Sequence, residues 1–243
     1  MSGVVDIGSR LELMLDDYLI ERYGGKACLR LHPPTPRETA LVTDRPWEGN
    51  ACGYATVFKD EDGYRMYYRA WHLTPGEEAR GAFAIALARS ADGKHWERPE
   101  LGLCDFRGSR ANNLVFVPTE PERKGEHGFS PFKDANPDCP PEIRYKAVGA
   151  GARCRSGLYA LGSPDGRRWR LLQDAPIIAE GAFDSQNLVF WDSLRGQYRA
   201  YIRDFRHPVT GRRDYQKGFR CIRTATSPDF FHWTDPEWLS YPG

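Results

Sequence analysis

The chain has no apolar run approaching the length that crosses a bilayer, so a membrane-spanning helix is excluded and no membrane partner is expected. It also lacks an excess of charge of either sign. Against 34 basic residues stand 33 acidic ones, a formal net charge of +1, which leaves no electrostatic footprint for nucleic acid. Local basic pairs such as Arg167-Arg168 and Arg212-Arg213 read as solvated turn tips. Cys-x-x-Cys spacing is missing: the cysteines at 28, 52, 104, 139, 154 and 221 are scattered, so neither a zinc site nor a disulfide framework is assigned. The histidines show no His-x-x-x-His or His/carboxylate cluster, and neither a metal nor a cofactor is expected. The start, Met1-Ser2-Gly3-Val4-Val5-Asp6, lacks the basic residues and apolar stretch of a secretion signal, from which a cytoplasmic location is expected.

What the chain does have is repetition. Ser90-Ala91-Asp92-Gly93-Lys94-His95-Trp96, Ser163-Pro164-Asp165-Gly166-Arg167-Arg168-Trp169 and Ser227-Pro228-Asp229-Phe230-Phe231-His232-Trp233 follow one pattern, with the tryptophans 73 and then 64 residues apart. A second pattern keeps the same phase. Tyr64-Arg65-Met66-Tyr67-Tyr68-Arg69-Ala70-Trp71 aligns without a gap on Tyr198-Arg199-Ala200-Tyr201-Ile202-Arg203-Asp204-Phe205, 134 residues later, two periods of the first repeat.

Each unit reads as strands. Residues 64–71 are rich in aromatics behind an Asp62-Gly63 turn, residues 83–89 form a short apolar run ended by Asp92-Gly93, and residues 113–117 are closed by Pro118. With residues 54–58 in front, these make a four-stranded meander. The third unit repeats the order over 187–190, 198–205, 219–225 and 238–241. The second is less regular, with strands expected over 144–149, 157–161 and 175–179. Four-stranded meanders at this period are blades of a β-propeller, so the chain is an all-β, incomplete propeller of about three blades. Taken as one domain over 1–243, its blades fall at roughly 45–120, 130–180 and 183–243, with 1–44 as an N-terminal strand and lead-in. In that lead-in, Leu11, Leu13 and Leu15 alternate with Glu12 and Met14, which predicts a strand over 11–20. Closed propellers have about four to eight blades, so an incomplete frame is expected, with a three-blade protein that assembles into a ring as the alternative. An uncovered blade face would make such a chain oligomeric or poorly soluble.

Function in a propeller gathers where inner strands converge, and the acids beside them are the candidates. The first unit offers Trp47-Glu48-Gly49-Asn50, the second Phe132-Lys133-Asp134-Ala135-Asn136-Pro137 and the third Phe183-Asp184-Ser185-Gln186-Asn187. Three carboxylates around one funnel would supply glycosidic cleavage with a nucleophile or base, an acid and a third charge to hold the sugar. Asp134, Asp184 and Glu48 are therefore the catalytic candidates, with Asp134 and Asp184 expected to face each other. Asn50, Trp71, His72, Asn136, Asn187, Arg203 and Asp204 are candidates for holding a carbohydrate, Trp71 and His72 as a stacking wall. Other groups have structural readings: Asp92 and Asp165 shape hairpin turns, His95 and His232 share one turn slot, and Trp96, Trp169 and Trp233 anchor packing.

At these residues the chain resembles the five-bladed propeller glycosidases, the superfamily of glycoside hydrolase families 32, 43, 62 and 68, and most closely bacterial proteins of the family 32 N-terminal-like kind. The likeness runs from Leu13-Met14-Leu15-Asp16-Asp17-Tyr18-Leu19-Ile20 through the last unit. Phe132-Lys133-Asp134 is similar to the Arg-Asp-Pro element of the second blade, with Lys133 for Arg and Ala135 for Pro. The first blade offers Glu48 or Asp44 where an Asp-Pro is expected, and the third carries Asp184 where the acid is usually Glu. The resemblance implies a glycoside hydrolase acting on an oligosaccharide or glycoside. A mannoside-phosphorylase-like enzyme would use the same propeller with phosphate in place of water and several basic residues in the funnel. A non-catalytic carbohydrate-binding propeller is the reading from a different class. A sialidase fits less well, since its Asp-box has one more residue between Asp and Gly.

Overall fold

The computed structural model describes residues 4–72, 83–118, 123–151 and 157–240. The chain divides into two units, Met1–Thr39 and Ala40–Gly243. In the first, no strand forms over 11–20, contrary to the alternation of its leucines, and Leu11, Leu13 and Leu15 are exposed. Alternation alone does not make a strand, because an isolated extended segment has no partner for its backbone hydrogen bonds.

The second unit holds three antiparallel four-stranded sheets, each in sequence order. Sheet 1 is β1 (Ala51–Asp60), β2 (Gly63–Trp71), β3 (Phe83–Ser90) and β4 (Leu114–Phe116). Sheet 2 is β5 (His127–Lys133), β6 (Tyr145–Ala150), β7 (Leu158–Ser163) and β8 (Arg170–Leu171). Sheet 3 is β9 (Leu188–Asp192), β10 (Gln197–Arg206), β11 (Phe219–Ser227) and β12 (Glu237–Trp238). One 3-10 turn, Pro141–Ile143, is the helical content among the described residues. This is the all-β architecture of an incomplete propeller.

Sheet 2 departs from expectation at both edges. Its inner strand is β5, over a segment containing Gly128 and Pro131 that carries no strand signature. Proline is tolerated there because β5 is an edge strand, where a missing N–H breaks no ladder on its free side. Its outer strand is β8 rather than 175–179, where Ile178 makes only an isolated bridge to Leu158. Pro176 removes a donor within that stretch.

Packing follows position in the stack. Every residue of β6 and β7 is buried, because sheet 2 has a neighbour on each face. Tyr67, Ile85, Leu87 and Val115 of sheet 1 pack with Phe129, Tyr145, Ala147 and Leu161 of sheet 2. Val148, Ala150, Leu158 and Ala160 pack with Val189, Tyr198, Ala200 and Ile202 of sheet 3. By contrast β10 alternates strictly: Tyr198, Ala200, Ile202 and Asp204 are buried toward sheet 2, while Arg199, Tyr201, Arg203 and Phe205 lie on the partly open far face.

The repeated Ser-x-Asp turns are local hydrogen-bonded units. The Oγ atoms of Ser90, Ser163 and Ser227 accept the backbone N–H of Gly93, Gly166 and Phe230 at 2.8, 2.9 and 2.9 Å. One carboxylate oxygen of Asp92, Asp165 and Asp229 accepts two further N–H groups, and the other meets His95, Arg168 or His232. Position four of the turn has positive φ: 77° at Gly93, 68° at Gly166 and 76° at Phe230. Phe230 pays a left-handed backbone strain that the glycines avoid, and its fully buried ring is what holds it there.

A second repeated unit locks the sheets together at the ends where β1, β5 and β9 finish. Asp60 closes β1, forms an ion pair with Arg65 Nε of its own sheet at 2.6 Å, and accepts hydrogen bonds from Lys133 Nζ and Tyr145 OH of sheet 2 at 2.7 Å each. Asp134 follows β5 and is bonded by Lys146 of its own sheet and by Tyr198 OH of sheet 3 at 2.6 Å. In each lock the cation is the second residue of a Tyr-Arg or Tyr-Lys pair opening a middle strand, and the tyrosine is the first residue of that pair in the next sheet. Burial pushes the Asp60 carboxyl up, but hydrogen bonds from Lys133, Tyr145 and the Glu61 N–H, with the Arg65 charge, outweigh it and leave a pKa of about 2.

Two outcomes are expected. Phe230→Gly relieves about 1 kcal/mol of backbone strain but loses a buried ring worth about 3–5 kcal/mol, so it should lower stability by roughly 2–4 kcal/mol in denaturant unfolding. Asp60 has a depressed pKa in the folded state, so its contribution is present above about pH 4 and is lost as pH falls toward 2. Asp60→Asn should therefore lower stability at pH 7 and flatten its decline between pH 4 and 2.

Candidate functional site

Inner strands β1, β5 and β9 run side by side, so each has a beginning and an end at opposite rims of the sheets. The beginnings meet: the rings of Tyr54 and His127 are 5.3 Å apart, and Tyr54 OH donates to the Asp184 carbonyl oxygen at 3.3 Å. Gln186 Nε2 donates to Thr56 Oγ1 at 2.7 Å. At Gly128, with φ of 65°, a Cβ would stand 2.6 Å from the Ser185 carbonyl oxygen, so only glycine allows this approach of sheets 2 and 3.

Two β-bulges aim side chains into this rim. The register of β1 on β2 shifts between Gly53 and Thr56, where Tyr54 takes a φ of 54°, and that of β5 on β6 shifts between His127 and Ser130. Bulges with a strained non-glycine residue are characteristic of sites that re-aim a side chain. The result is a cluster drawn from all three sheets: Tyr54 and Arg69 from sheet 1, His127 from sheet 2, Asp184 and Arg203 from sheet 3. Arg203 Nη1 is paired with Asp184 Oδ1. The Arg69 guanidinium lies 3.8 Å over Trp71 and 5.0 Å over Phe83. Burial, and then the Arg69 charge, push His127 down to a pKa of about 4 against the opposing pull of Asp184 and the Phe183 carbonyl, so its imidazole is neutral at pH 7.

Asp184 opens on a groove. A cavity of about 430 Å³ is lined by Tyr54, Asp184, Ser185, Arg203, Arg220 and Ile222. A second of about 570 Å³ shares Ser185, Arg203 and Ile222 with it and adds Leu188, Tyr201 and Leu239. A larger cavity, about 840 Å³, lies elsewhere, between β4 and β8, lined by Phe116, Arg167, Trp169 and Leu171 among others.

The structure does not bring the three expected carboxylates together. Asp134 follows its inner strand instead of preceding it, so it stands at the opposite rim from Asp184, held by Lys146, Tyr198 and the Asn136 N–H. Glu48 does precede its strand, but its carboxylate is fully buried, taking bonds from Tyr68 OH at 2.5 Å, Arg98 Nε at 2.7 Å and the Arg45 N–H at 2.9 Å. Asp44 lies at the surface, 3.6 Å from Arg98. The counterpart of Asp184 in sheet 2 is Glu126, directly before β5 and buried, with Oε2 3.0 Å from Arg123 Nε.

Among the substrate-binding candidates, Arg203 reaches the groove and Trp71 stacks under Arg69. His72 stacks on Phe106, ring centroids 5.9 Å apart. Asn50 is exposed at the start of β1, its N–H bonded to the Trp71 carbonyl. Asn136 Nδ2 donates to Tyr198 OH, within the second lock. Asn187 ties the turn before β9, to the Ser185 carbonyl and the Arg203 N–H. Asp204 is fully buried between Arg213 and Arg223. Tyr54, Glu126 and His127 are site residues that sequence reasoning did not single out. Assigning β5 correctly would have exposed Glu126 and His127, since both then fall where Glu48 and Asp184 fall. Among the described residues no group of three or more His, Cys, Asp or Glu is placed to hold a metal ion, and no helix is long and apolar enough to cross a membrane.

No family model matches the sequence and no curated protein matches it. Solved structures do match in fold, and these are glycoside hydrolases of the five-bladed propeller type. The fructofuranosidase of Schwanniomyces occidentalis, solved with fructose, is 16% identical and superposes with a TM-score of 0.52 over 76% of this chain and 33% of its own. A glycosyl hydrolase from Bacteroides ovatus is 16% identical, covering 76% of this chain and 50% of its own with a TM-score of 0.45. A structure from the GH130 family of mannoside phosphorylases is 14% identical, covering 79% and 54% with a TM-score of 0.45. The chain thus spans about a third to a half of the length of these proteins.

Removing the Asp184 charge takes away a group that raises the His127 pKa. In Asp184→Asn the His127 imidazole should titrate below its value of about 4 in the unaltered protein, read by NMR from the ring proton shifts.

Proposed function

We propose that the protein acts on a carbohydrate and cleaves a glycosidic bond, with Asp184 as the carboxylate at the reacting bond. The observation that carries this reading is the convergence of Tyr54, Arg69, His127, Asp184 and Arg203, from three sheets, on one rim beside an open groove. A carboxylate facing a groove can protonate a leaving oxygen or activate a nucleophile, and hydroxyl and guanidinium donors around it suit the many oxygens of a sugar. Glu126, at the equivalent place in sheet 2, is the candidate second carboxylate in place of Asp134. The propeller glycosidases that share the fold support the substrate class.

Phosphorolysis is the second reading, favoured by the arginines. Arg203, paired with Asp184, and Arg220 line the groove beside that carboxylate, and a reaction in which phosphate replaces water needs one acid and a cationic pocket for the phosphate. A cytoplasmic site of action is part of the proposal: Cys28, Cys52, Cys104, Cys139 and Cys221 are free thiols, which a reducing compartment preserves.

Incubating the whole protein with aryl glycosides and oligosaccharides, with and without phosphate, separates the readings. Phosphate-independent release of reducing sugar supports hydrolysis, sugar phosphate supports phosphorolysis, and binding in calorimetry without turnover supports a carbohydrate-binding propeller. In either enzyme Asp184→Asn should lower turnover by about 10²-fold or more with unfolding unchanged, whereas Asp134→Asn should act on stability.

A further inference from the structure

Beside the second lock stands a nucleophile that neither the packing nor the proposed reaction uses. The segment between β5 and β6 carries Cys139, a free and partly exposed thiol. Lys146 Nζ lies 2.8 Å from its Sγ, so amine and sulfur are in direct contact, while the same ammonium is paired with the Asp134 carboxylate and meets the Ile143 carbonyl oxygen at 3.3 Å. Both partners are held in place. Lys146 sits inside β6, laddered to Phe132 and Gly162, and the Cys139 N–H is bonded to the Asn136 carbonyl at 3.1 Å, in a turn whose Asn136 N–H is bonded to Asp134 at 2.9 Å. Among the described residues no other cysteine has a lysine nitrogen against its sulfur.

We propose that Cys139 and Lys146 form an oxidative modification site, at which a peroxide joins Sγ to Nζ in a sulfenamide bond. The thiol gives up its proton and attacks one peroxide oxygen, so that sulfur is oxidised by two electrons to a sulfenic acid and the peroxide is reduced, its other oxygen leaving as water. Lys146 Nζ then hands a proton to the Asp134 carboxylate. Its freed lone pair attacks Sγ, the S–O bond breaks, and the departing hydroxide takes the second Nζ proton as water. One peroxide is consumed, two waters form, one S–N bond is made, and Asp134 keeps one proton. A thiol reductant reverses the step by attacking sulfur and returning the amine.

The cluster supplies what the second step needs, an amine in contact with sulfur and a base for its proton. Exposed Cys28 and Cys52 have no such neighbours among the described residues, so under peroxide they climb to sulfinic acid or pair with another thiol. The product also alters the lock. Lys146 loses its charge, yet Asp134 gains the matching proton, so no unpaired carboxylate is left in the buried interface and the Tyr198 hydroxyl stays beside it. Burial pushes the Cys139 thiol up, Asp134 adds to that and Lys146 opposes it. Its thiolate is therefore scarce at neutral pH, and the link should form faster at about pH 9 than at about pH 7.

Mass spectrometry of the full chain tests this, after hydrogen peroxide, blocking of the remaining thiols with iodoacetamide, and trypsin digestion without reductant. The expected product is a Cys139 peptide joined to a Lys146 peptide, lighter than the two by two hydrogens and uncut after Lys146. Dithiothreitol should part them. In Cys139→Ser, trypsin should cut after Lys146 as it does before peroxide, and in Lys146→Arg, which keeps a cation on Asp134 but offers no free amine, Cys139 should be found as its oxidised acids. Cys139 found only as sulfinic acid or as a disulfide in the unaltered protein, a joined pair that keeps an extra oxygen, or an equal yield from the chain unfolded in urea would overturn the proposal.

Discussion

A carboxylate buried at the end of an inner strand is the constraint around which the sheets are arranged. An ionised Asp cannot be left dry without partners, and several kcal/mol are lost if one of those partners is removed. Asp60 and Asp134 each meet that demand with a cation from their own sheet and a phenol from the next, so the need for partners fixes where the next sheet must sit. The apolar layers above the locks have no such directionality. Tyr67, Leu87 and Leu161 could pack at several offsets, but only one offset also places Tyr145 OH against Asp60.

This division gives the two rims different work. At the rim where inner strands end, carboxylates are saturated and buried, and their chemistry is that of a fastener. At the rim where they begin, the ladders bulge, Tyr54 sits at positive φ, and Asp184 faces a groove with a single arginine on it. Asp134 and Asp184 are the same residue type beside inner strands of adjacent sheets. Their surroundings separate them: a lysine, a phenol and a backbone N–H close the first, and a cavity opens beside the second.

The sequence showed the Ser-x-Asp turns because their hydrogen bonds run between residues two and three apart, so the whole unit is written in seven consecutive letters. The middle strands showed for the same reason, as aromatic alternation over one segment. The locks are written across the chain: Asp134 meets Tyr198, 64 residues away, and Asp60 meets Tyr145, 85 away. A repeat of Phe-x-Asp at 58, 132 and 190 was present, but its meaning depended on placing β5. Gly128 and Pro131 hid that strand, and assigning the inner strand one segment too late moved Asp134 from the end of a strand to the beginning of one. The leucines at 11, 13 and 15 erred in the other direction, since a strand signature forms no strand without a neighbour to bond.

The charges on the rim where the inner strands begin bear on what the candidate site could do. A glycosyl transition state gathers positive charge at the anomeric carbon, and guanidinium groups close by oppose that charge unless carboxylates stand nearer to it. Arg203 is paired with Asp184, and burial together with the Arg69 charge holds His127 neutral. For Asp184 to act at the reacting bond, Arg203 must turn toward another anion or toward the sugar. A phosphate entering the groove would draw Arg203 and Arg220 to itself and release the carboxylate in the same step. A neutral sugar offers them only hydroxyl acceptors, which compete less well with a carboxylate. Under the proposed reading, the Asp184–Arg203 pair is therefore the element whose state would decide between an anion-assisted reaction and simple hydrolysis.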